Sequence, residues 1–288
     1  MDKYLIFLDA SADIDLAYAK ENNIDFVYMN YTYDDISGKI KGNETDEELR
    51  NFYALVKGGK LPSTSQIAPY LYEELFTPYL KDGVSILYIC LSSGLSSTYQ
   101  SAVLASKNLK ASFPESDLVV VDSLSAAGGI GILCERAINN KNNGLSIFDN
   151  AKDLEDLRTK IFINVTVEDL MHLKRGGRVS AATAFVGTLL GIKPIIKVTK
   201  DGTLEVFEKK KGLRQAVNFM VDNYVKECNL DSNLTVYVLH SDNDAILEYA
   251  VNKVKEVNPK AKIKTKVITP IIGTHIGPGA IAILAESK

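Results

Sequence analysis

The segment Ser85-Ile86-Leu87-Tyr88-Ile89-Cys90-Leu91, followed at once by Ser92-Ser93-Gly94-Leu95-Ser96-Ser97-Thr98, decides the fold class. Its apolar run has no polar alternation and stops in a hydroxyl-rich turn. A strand buried on both faces of a parallel sheet reads this way. Similar runs lie at Tyr4–Leu8 and Leu118–Val121. Amphipathic segments at Gln66–Leu80, Ser96–Leu109 and Ala126–Asn139 are expected to be helices between and after them. This is a βαβ series, so the first half is expected to be an α/β layer structure with a largely parallel sheet.

Working outward, Asn140-Lys141-Asn142-Asn143-Gly144 is a polar break, and a charged helix is expected over about Asn150–Lys160. Beyond it, strands are expected at Ile161–Val167, Lys193–Thr199, Leu204–Glu208, Leu234–His240, Lys262–Thr269 and Ala280–Ala285. Helices are expected at Ser180–Gly191, Leu213–Cys228 and Asn243–Val257. Lys200-Asp201-Gly202-Thr203 has the Asp-Gly centre of a hairpin turn. The reading is two α/β domains, 1–150 and 151–288, with the boundary near 145–160.

The chain of 288 residues can bury a sizeable core. A net charge of -3 argues against a general nucleic-acid binder. Cys90, Cys134 and Cys228 are odd in number and widely spaced, so neither a disulfide framework nor a CxxC metal site is indicated. The apolar start Tyr4–Leu8 is too short for a secretory signal, and no run approaches a membrane span. A cytoplasmic protein without stable membrane insertion is expected.

Hydroxyl residues gather where strands end: Asp9-Ala10-Ser11, Ser63-Thr64-Ser65, Ser92 to Thr98, and Asp122-Ser123-Leu124-Ser125. Ligands of open α/β sheets bind outside the carboxyl ends of the strands. Helix N-termini with hydroxyl donors suit a phosphate or carboxylate, although serine and threonine are also ordinary helix caps. A serine hydrolase would pair Ser96 with a base such as His275, but Gly94-Leu95-Ser96-Ser97-Thr98 lacks the final glycine of a nucleophile elbow. No phosphate-binding loop occurs. Gly129-Ile130-Gly131-Ile132-Leu133-Cys134 has Cys134 in the third glycine place of a dinucleotide pattern, and Gly277-Pro278-Gly279-Ala280-Ile281-Ala282 fits one but runs into an expected strand, so no bound nucleotide is inferred.

Three further stretches carry two readings each. Lys174-Arg175-Gly176-Gly177-Arg178 is a basic loop suited to an anion, or a solvated turn. Thr274-His275-Ile276-Gly277-Pro278-Gly279 is a tight loop between strands, whose histidine either bonds an acid or is an ordinary loop residue. Ala181–Ile196 mixes small and large apolar residues, leaving room for a guest chain or serving helix packing.

Taken in order, Pro62-Ser63-Thr64-Ser65-Gln66, Ser92 to Ala102, Asp122-Ser123, Leu173 to Ser180, Lys193-Pro194-Ile195 and Gly273 to Gly279 resemble the DegV family over about residues 3–286. That family includes the fatty-acid-binding subunits of bacterial fatty acid kinase. The resemblance implies two α/β domains with a lipid tunnel between or beside them. It implies that Thr64, Ser96, Ser93 and His275 bind the carboxylate of a long-chain fatty acid such as palmitate. Arg175 would face an ATP-binding kinase subunit, and the chain would have no cofactor and no catalytic activity of its own. A sensor of a phosphate-bearing ligand remains the other non-enzymatic reading. Three departures stand out: Ile67-Ala68 replace the family's Pro-Ser, Ser97 replaces a glycine, and Asp9-Ala10-Ser11 replaces Asp-Ser-Thr/Ser.

Overall fold

The computed structural model describes residues 4–168, 170–180, 191–230 and 234–288. The apolar helix expected over Ser180–Gly191 lies almost wholly outside the described residues.

The first half contains β1 (Tyr4–Asp9), α1 (Leu16–Glu21), β2 (Ile24–Val27), β3 (Met29–Tyr33), β4 (Ile36–Ile40), α2 (Asp46–Lys57), β5 (Ser63–Thr64), α3 (Pro69–Lys81), β6 (Ser85–Cys90), α4 (Thr98–Ser112), β7 (Leu118–Asp122), α5 (Gly128–Asn142) and α6 (Ile147–Leu157). Strands β2-β1-β6-β7 form a wholly parallel sheet. Successive side chains of a strand face opposite ways, and here both faces are buried. Ile6, Leu8, Leu87 and Ile89 face a core shared with α5 and α6. Phe7, Ile86, Tyr88 and Cys90 face the core under α3 and α4. That is why these strands read as unbroken apolar runs.

Between β2 and α3 the chain builds a small antiparallel sheet, β4-β3-β5, which meets α2 through Tyr31 against Phe52. The α2 start is a capping box: Thr45 accepts from the Glu48 N–H while Glu48 reaches back to the Thr45 N–H. Helix α3 begins at Pro69 rather than at the expected Gln66, because proline restricts the residue before it and itself suits the first helical position.

The second half contains β8 (Ile161–Thr166), α7 (Met171–Arg175), β9 (Ile192–Val198), β10 (Leu204–Lys211), α8 (Leu213–Glu227), β11 (Thr235–His240), α9 (Asp244–Val257), β12 (Lys262–Val267), α10 (Pro270–Ile276) and β13 (Ile281–Glu286). Its six strands run β10-β9-β8-β13-β11-β12, with only β11 and β12 parallel. One face packs on α8 and α9 through Ile195, Val236, Val238 and Ile283. The other turns toward the first half and carries Ile196, Tyr237, Leu239 and Leu284.

Helix α5 joins the halves, touching β1 and β6 on one side and β8, β11 and β13 on the other. The Gly128–Gly131 run serves this packing. A Cβ on Gly128 or Gly131 would stand 2.7 or 2.8 Å from the Tyr237 side chain. Two local expectations are corrected. Thr274 and His275 lie in α10, not in a loop, because Thr269 is extended and Pro270 opens the helix with its fixed φ. Lys174 and Arg175 are the last turn of α7, and the basic loop proper begins only at Gly176.

Candidate functional site

A cavity with about 950 Å³ of empty space, its opening to solvent included, lies between the inward face of the six-stranded sheet and the first half. Strands β8, β9, β10 and β13 contribute aliphatic side chains, among them Ile163, Ile196, Leu204 and Leu284. Ile271, Ile272 and Ile276 of α10 close the opposite wall with Leu91 and Leu95. Ala126 and Ala127, at the start of α5, add small surfaces. Leu124 and Ala127 both adopt positive φ (47° and 53°), a strained backbone kept only where surrounding structure enforces it.

The polar residues at this greasy slot are Thr64, Ser65, Gln66, Ser96, Arg178 and His275; Thr64, Ser96, Arg178 and His275 bring hydroxyl, guanidinium and imidazole groups to it. They arrive from four separate elements. Thr64 ends β5, and its Oγ1 lies 2.8 Å from His275 Nε2. His275 projects from α10. Burial holds its pKa down at about 4, helped by the charges of Arg178, Arg175 and His172, so the imidazole is neutral at pH 7. Its Nδ1 is buried without a partner and faces Gly176, where a Cβ would sit only 2.1 Å away.

Ser96 precedes α4. Its Oγ lies 2.8 Å from Thr98 Oγ1 and accepts the Thr98 N–H at 3.2 Å. The loop carrying it is fixed from both halves. Ser92 Oγ donates to the Gly202 carbonyl at 2.8 Å and accepts the Gly94 N–H. The Lys200–Thr203 turn crosses so near that a Cβ on Gly94 would meet the Asp201 carbonyl oxygen at 2.6 Å. The expected hairpin turn therefore braces the loop that carries Ser96.

Ser93 and Arg175 are not among the residues lining the cavity. The Ser93 N–H donates to Asp122 Oδ1 at 3.0 Å, which shapes the loop. Arg175 is exposed and its Nη2 lies 2.8 Å from His172 Nδ1, yet it is near enough for its charge to act on His275. Arg178 takes the inward place. Its Nε donates to the Leu95 carbonyl at 2.9 Å and its Nη1 to the Gly176 carbonyl, and burial lowers its pKa. Helix α7 stops at Gly176, and Gly177 at φ 73° turns the chain back, so the second arginine of the motif points inward. The double glycine between the arginines was the available signal.

The arrangement suits one anionic headgroup above an apolar tail. A buried carboxylate needs hydrogen-bonding partners; a neutral imidazole, hydroxyls and a half-buried guanidinium supply them. Nucleophilic catalysis needs a serine paired with its base, but Ser96 bonds Thr98 whereas His275 bonds Thr64. Among the described residues no cluster of histidine, cysteine or acidic groups could hold a metal, the three cysteines are buried and free, and no helix is long and apolar enough to cross a membrane.

Residues 3–288 match the family model described as an uncharacterised protein, DegV family. A DegV domain-containing protein of Clostridium perfringens is 33% identical, the alignment covering 100% of this chain and 99% of the relative. A fatty acid-binding protein of Thermotoga maritima is 30% identical over 97% of this chain and 96% of its own. The crystal structure of DegV from Bacillus subtilis, a fatty acid binding protein, superposes with a TM-score of 0.87 at 25% identity, covering 100% of both chains. The fatty acid kinase B3 protein of Streptococcus pneumoniae, solved with linoleic acid, superposes with a TM-score of 0.83 at 20% identity, covering 99% of this chain and 100% of its own.

Proposed function

This chain belongs to the DegV family, and from that premise we propose that it binds one long-chain fatty acid non-covalently and presents the carboxylate to a separate, ATP-binding kinase subunit. The observation that carries the reading is the convergence of Thr64, Ser96, His275 and Arg178 on one apolar cavity. The relatives from Thermotoga maritima and Bacillus subtilis, which bind fatty acids, support it.

Burial of the tail supplies the affinity. At ~0.8 kcal/mol per CH₂, a sixteen-carbon chain gains roughly 12 kcal/mol before ordering costs. The headgroup end supplies orientation. Thr64, Ser96 and His275 hold the carboxylate, Arg178 gives it a counter-charge, and Ser93 keeps the loop in shape. The two sequence units, 1–150 and 151–288, clasp the ligand, with α6 remaining on the first sheet. Exposed Arg175, beside the headgroup, is the contact for the kinase. The sequence holds no nucleotide motif, so the partner supplies ATP and forms the acyl phosphate. The Streptococcus pneumoniae kinase B3 protein has the same fold, which is consistent with this division of labour.

The test is organic extraction of natively purified protein, followed by mass spectrometry and titration with long-chain fatty acids. One acyl chain per protein, and acyl phosphate formed only when a fatty acid kinase catalytic subunit and ATP are added, is the expected result. Protein that neither carries nor takes up an acyl chain would defeat the reading.

A further inference from the structure

Helix α10 carries His275 into the cavity, so whatever fixes its first residue also fixes the imidazole. That anchor comes from the other half of the chain. Asp13, in the loop after β1, is buried, and its Oδ1 accepts the Thr269 N–H at 2.8 Å. Thr269 is the residue from which α10 starts, and its own side chain makes no cap bond. The Asp13 loop is tied to the same place by Lys266, whose Nζ donates to the Ile14 carbonyl at 2.8 Å. Asp13 Oδ2 is buried without a partner. The residue adopts φ 47°, which aspartate and asparagine tolerate better than most. Asp13 does not line the cavity.

We propose that Asp13 is a positioning residue for the headgroup site: it holds the start of α10, and through it the contact of His275 with Thr64, without touching the ligand. The proposal rests on the fatty-acid reading above and adds a pH response to it. Burial raises the Asp13 carboxyl to about 7; Lys266 on β12 and the Thr269 N–H oppose the rise, and Glu44, ahead of α2, adds to it. Tyr53 on α2 faces the same carboxyl, and its phenol, held neutral by burial, donates to the Ile268 carbonyl at 2.8 Å.

The sign follows from linkage. A carboxyl that protonates more readily when α10 is docked favours docking at low pH. Docking is therefore complete below the free value of 3.8 and weakens as pH rises through about 7. Between pH 6 and pH 8 the weakening reaches about tenfold if undocking exposes Asp13 fully.

The experiment titrates a fluorescent fatty acid, cis-parinaric acid, into full-length wild type, Asp13→Asn and Asp13→Ala at pH 6, 7 and 8, with the melting temperature taken at each pH. Asparagine keeps the acceptor and the backbone conformation but cannot ionise. The ratio of Asp13→Asn affinity to wild-type affinity should rise by up to about tenfold between pH 6 and pH 8, because asparagine does not ionise. Asp13→Ala leaves the Thr269 N–H buried without its acceptor, and should bind about tenfold more weakly at pH 6. The ligand's own ionisation is common to all three proteins and cancels in the ratios. Parallel pH profiles for wild type and Asp13→Asn would overturn the proposal. So would variants whose melting temperature falls while affinity holds. Should the alanine variant not fold, the asparagine-to-wild-type ratio decides alone. Failure of wild type itself to bind defeats the fatty-acid reading, a different result from binding with parallel profiles.

Discussion

Gly176→Ala isolates the imidazole. Gly176 closes α7 with φ -71° and ψ -8°, a conformation alanine adopts without strain. The new methyl therefore acts through space alone. It would lie 2.1 Å from His275 Nδ1 and 2.9 Å from Cε1, whereas carbon and nitrogen rest at about 3.4 Å or more. The ring must retreat by about 1.3 Å, away from Gly176 and toward the side where Nε2 meets Thr64 Oγ1 at 2.8 Å, so that contact cannot keep its hydrogen-bonding geometry. Breaking a bond between groups this secluded costs about 1–3 kcal/mol. At about 1.4 kcal/mol per tenfold, fatty-acid affinity should fall roughly 5- to 150-fold. Calorimetric titration with palmitate reads the affinity, and thermal melting checks that the fold is intact. Thr64→Val removes the same contact from the other side. The two losses should be non-additive in a double-mutant cycle, because each breaks one shared bond. An affinity within twofold of wild type, with the melting temperature unchanged, would refute the claim that the Thr64–His275 contact orients the headgroup.

Three further outcomes are expected. Arg178→Gln should weaken fatty-acid binding about tenfold through loss of the counter-charge, while Arg175→Gln leaves affinity within about twofold and lowers the rate of acyl phosphate formation with the kinase subunit; equal loss of binding in both would sink the distinction. His275, with its pKa held at about 4 against an ordinary 6.5, contributes stability that is full above 6.5 and lost as pH falls toward 4; NMR of histidine-labelled protein should show no protonation of this ring between pH 8 and pH 6. Tyr88 Oη donates to Asp9, whose carboxyl burial raises to about 6. Tyr88→Phe should therefore cost about 1.5–3 kcal/mol of stability, more at pH 8, where Asp9 is ionised, than at pH 5; urea unfolding at both values checks the sign.

The buried parallel strands were legible because burial on both faces writes an unbroken apolar run, as in SILYICL over Ser85–Leu91. Strands β2, β3 and β4 were not read. In β2 and β4 burial is uneven, so neither an apolar run nor a clean alternation marks them; β3 does alternate, with Asn30 and Thr32 exposed between Met29, Tyr31 and Tyr33, over only five residues. Helix α2 did carry a local signal, the Thr45-x-x-Glu48 box, that was left unread. It matters to the site, because α2 ties the β3-β4-β5 unit to the second half. Tyr53 Oη donates to the Ile268 carbonyl, and Arg50 and Lys57 pair with Asp242. The expected loop around His275 failed for a packing reason. The glycines and proline of 277–279 do end the helix, but Gly273 is helical. It is glycine because a Cβ there would stand 2.4 Å from Tyr53 Oη.

The headgroup site shows where local reading stops. Each hydroxyl turn could be recognised as a potential anion cradle, since strand ends and helix starts write themselves into neighbouring residues. Which cradles share a ligand is set by contacts between residues far apart in the chain. Thr64 and His275 are 211 positions apart, and Asp13 and Thr269 are 256 apart. Both pairs cross between the halves and both converge on α10, a helix of 7 residues. So short a helix has little stability of its own, and its place is set by what grips it: the Asp13 carboxylate at its start, Tyr53 against Gly273, and Thr64 at its end. A ligand carboxylate bound by Thr64 and His275 would join that set of contacts. Binding should then tighten the junction of the two halves, and slower amide hydrogen exchange in Pro270–Ile276 on adding fatty acid is the direct measure. Exchange there that ignores the ligand would mean that the cavity fills without engaging the helix.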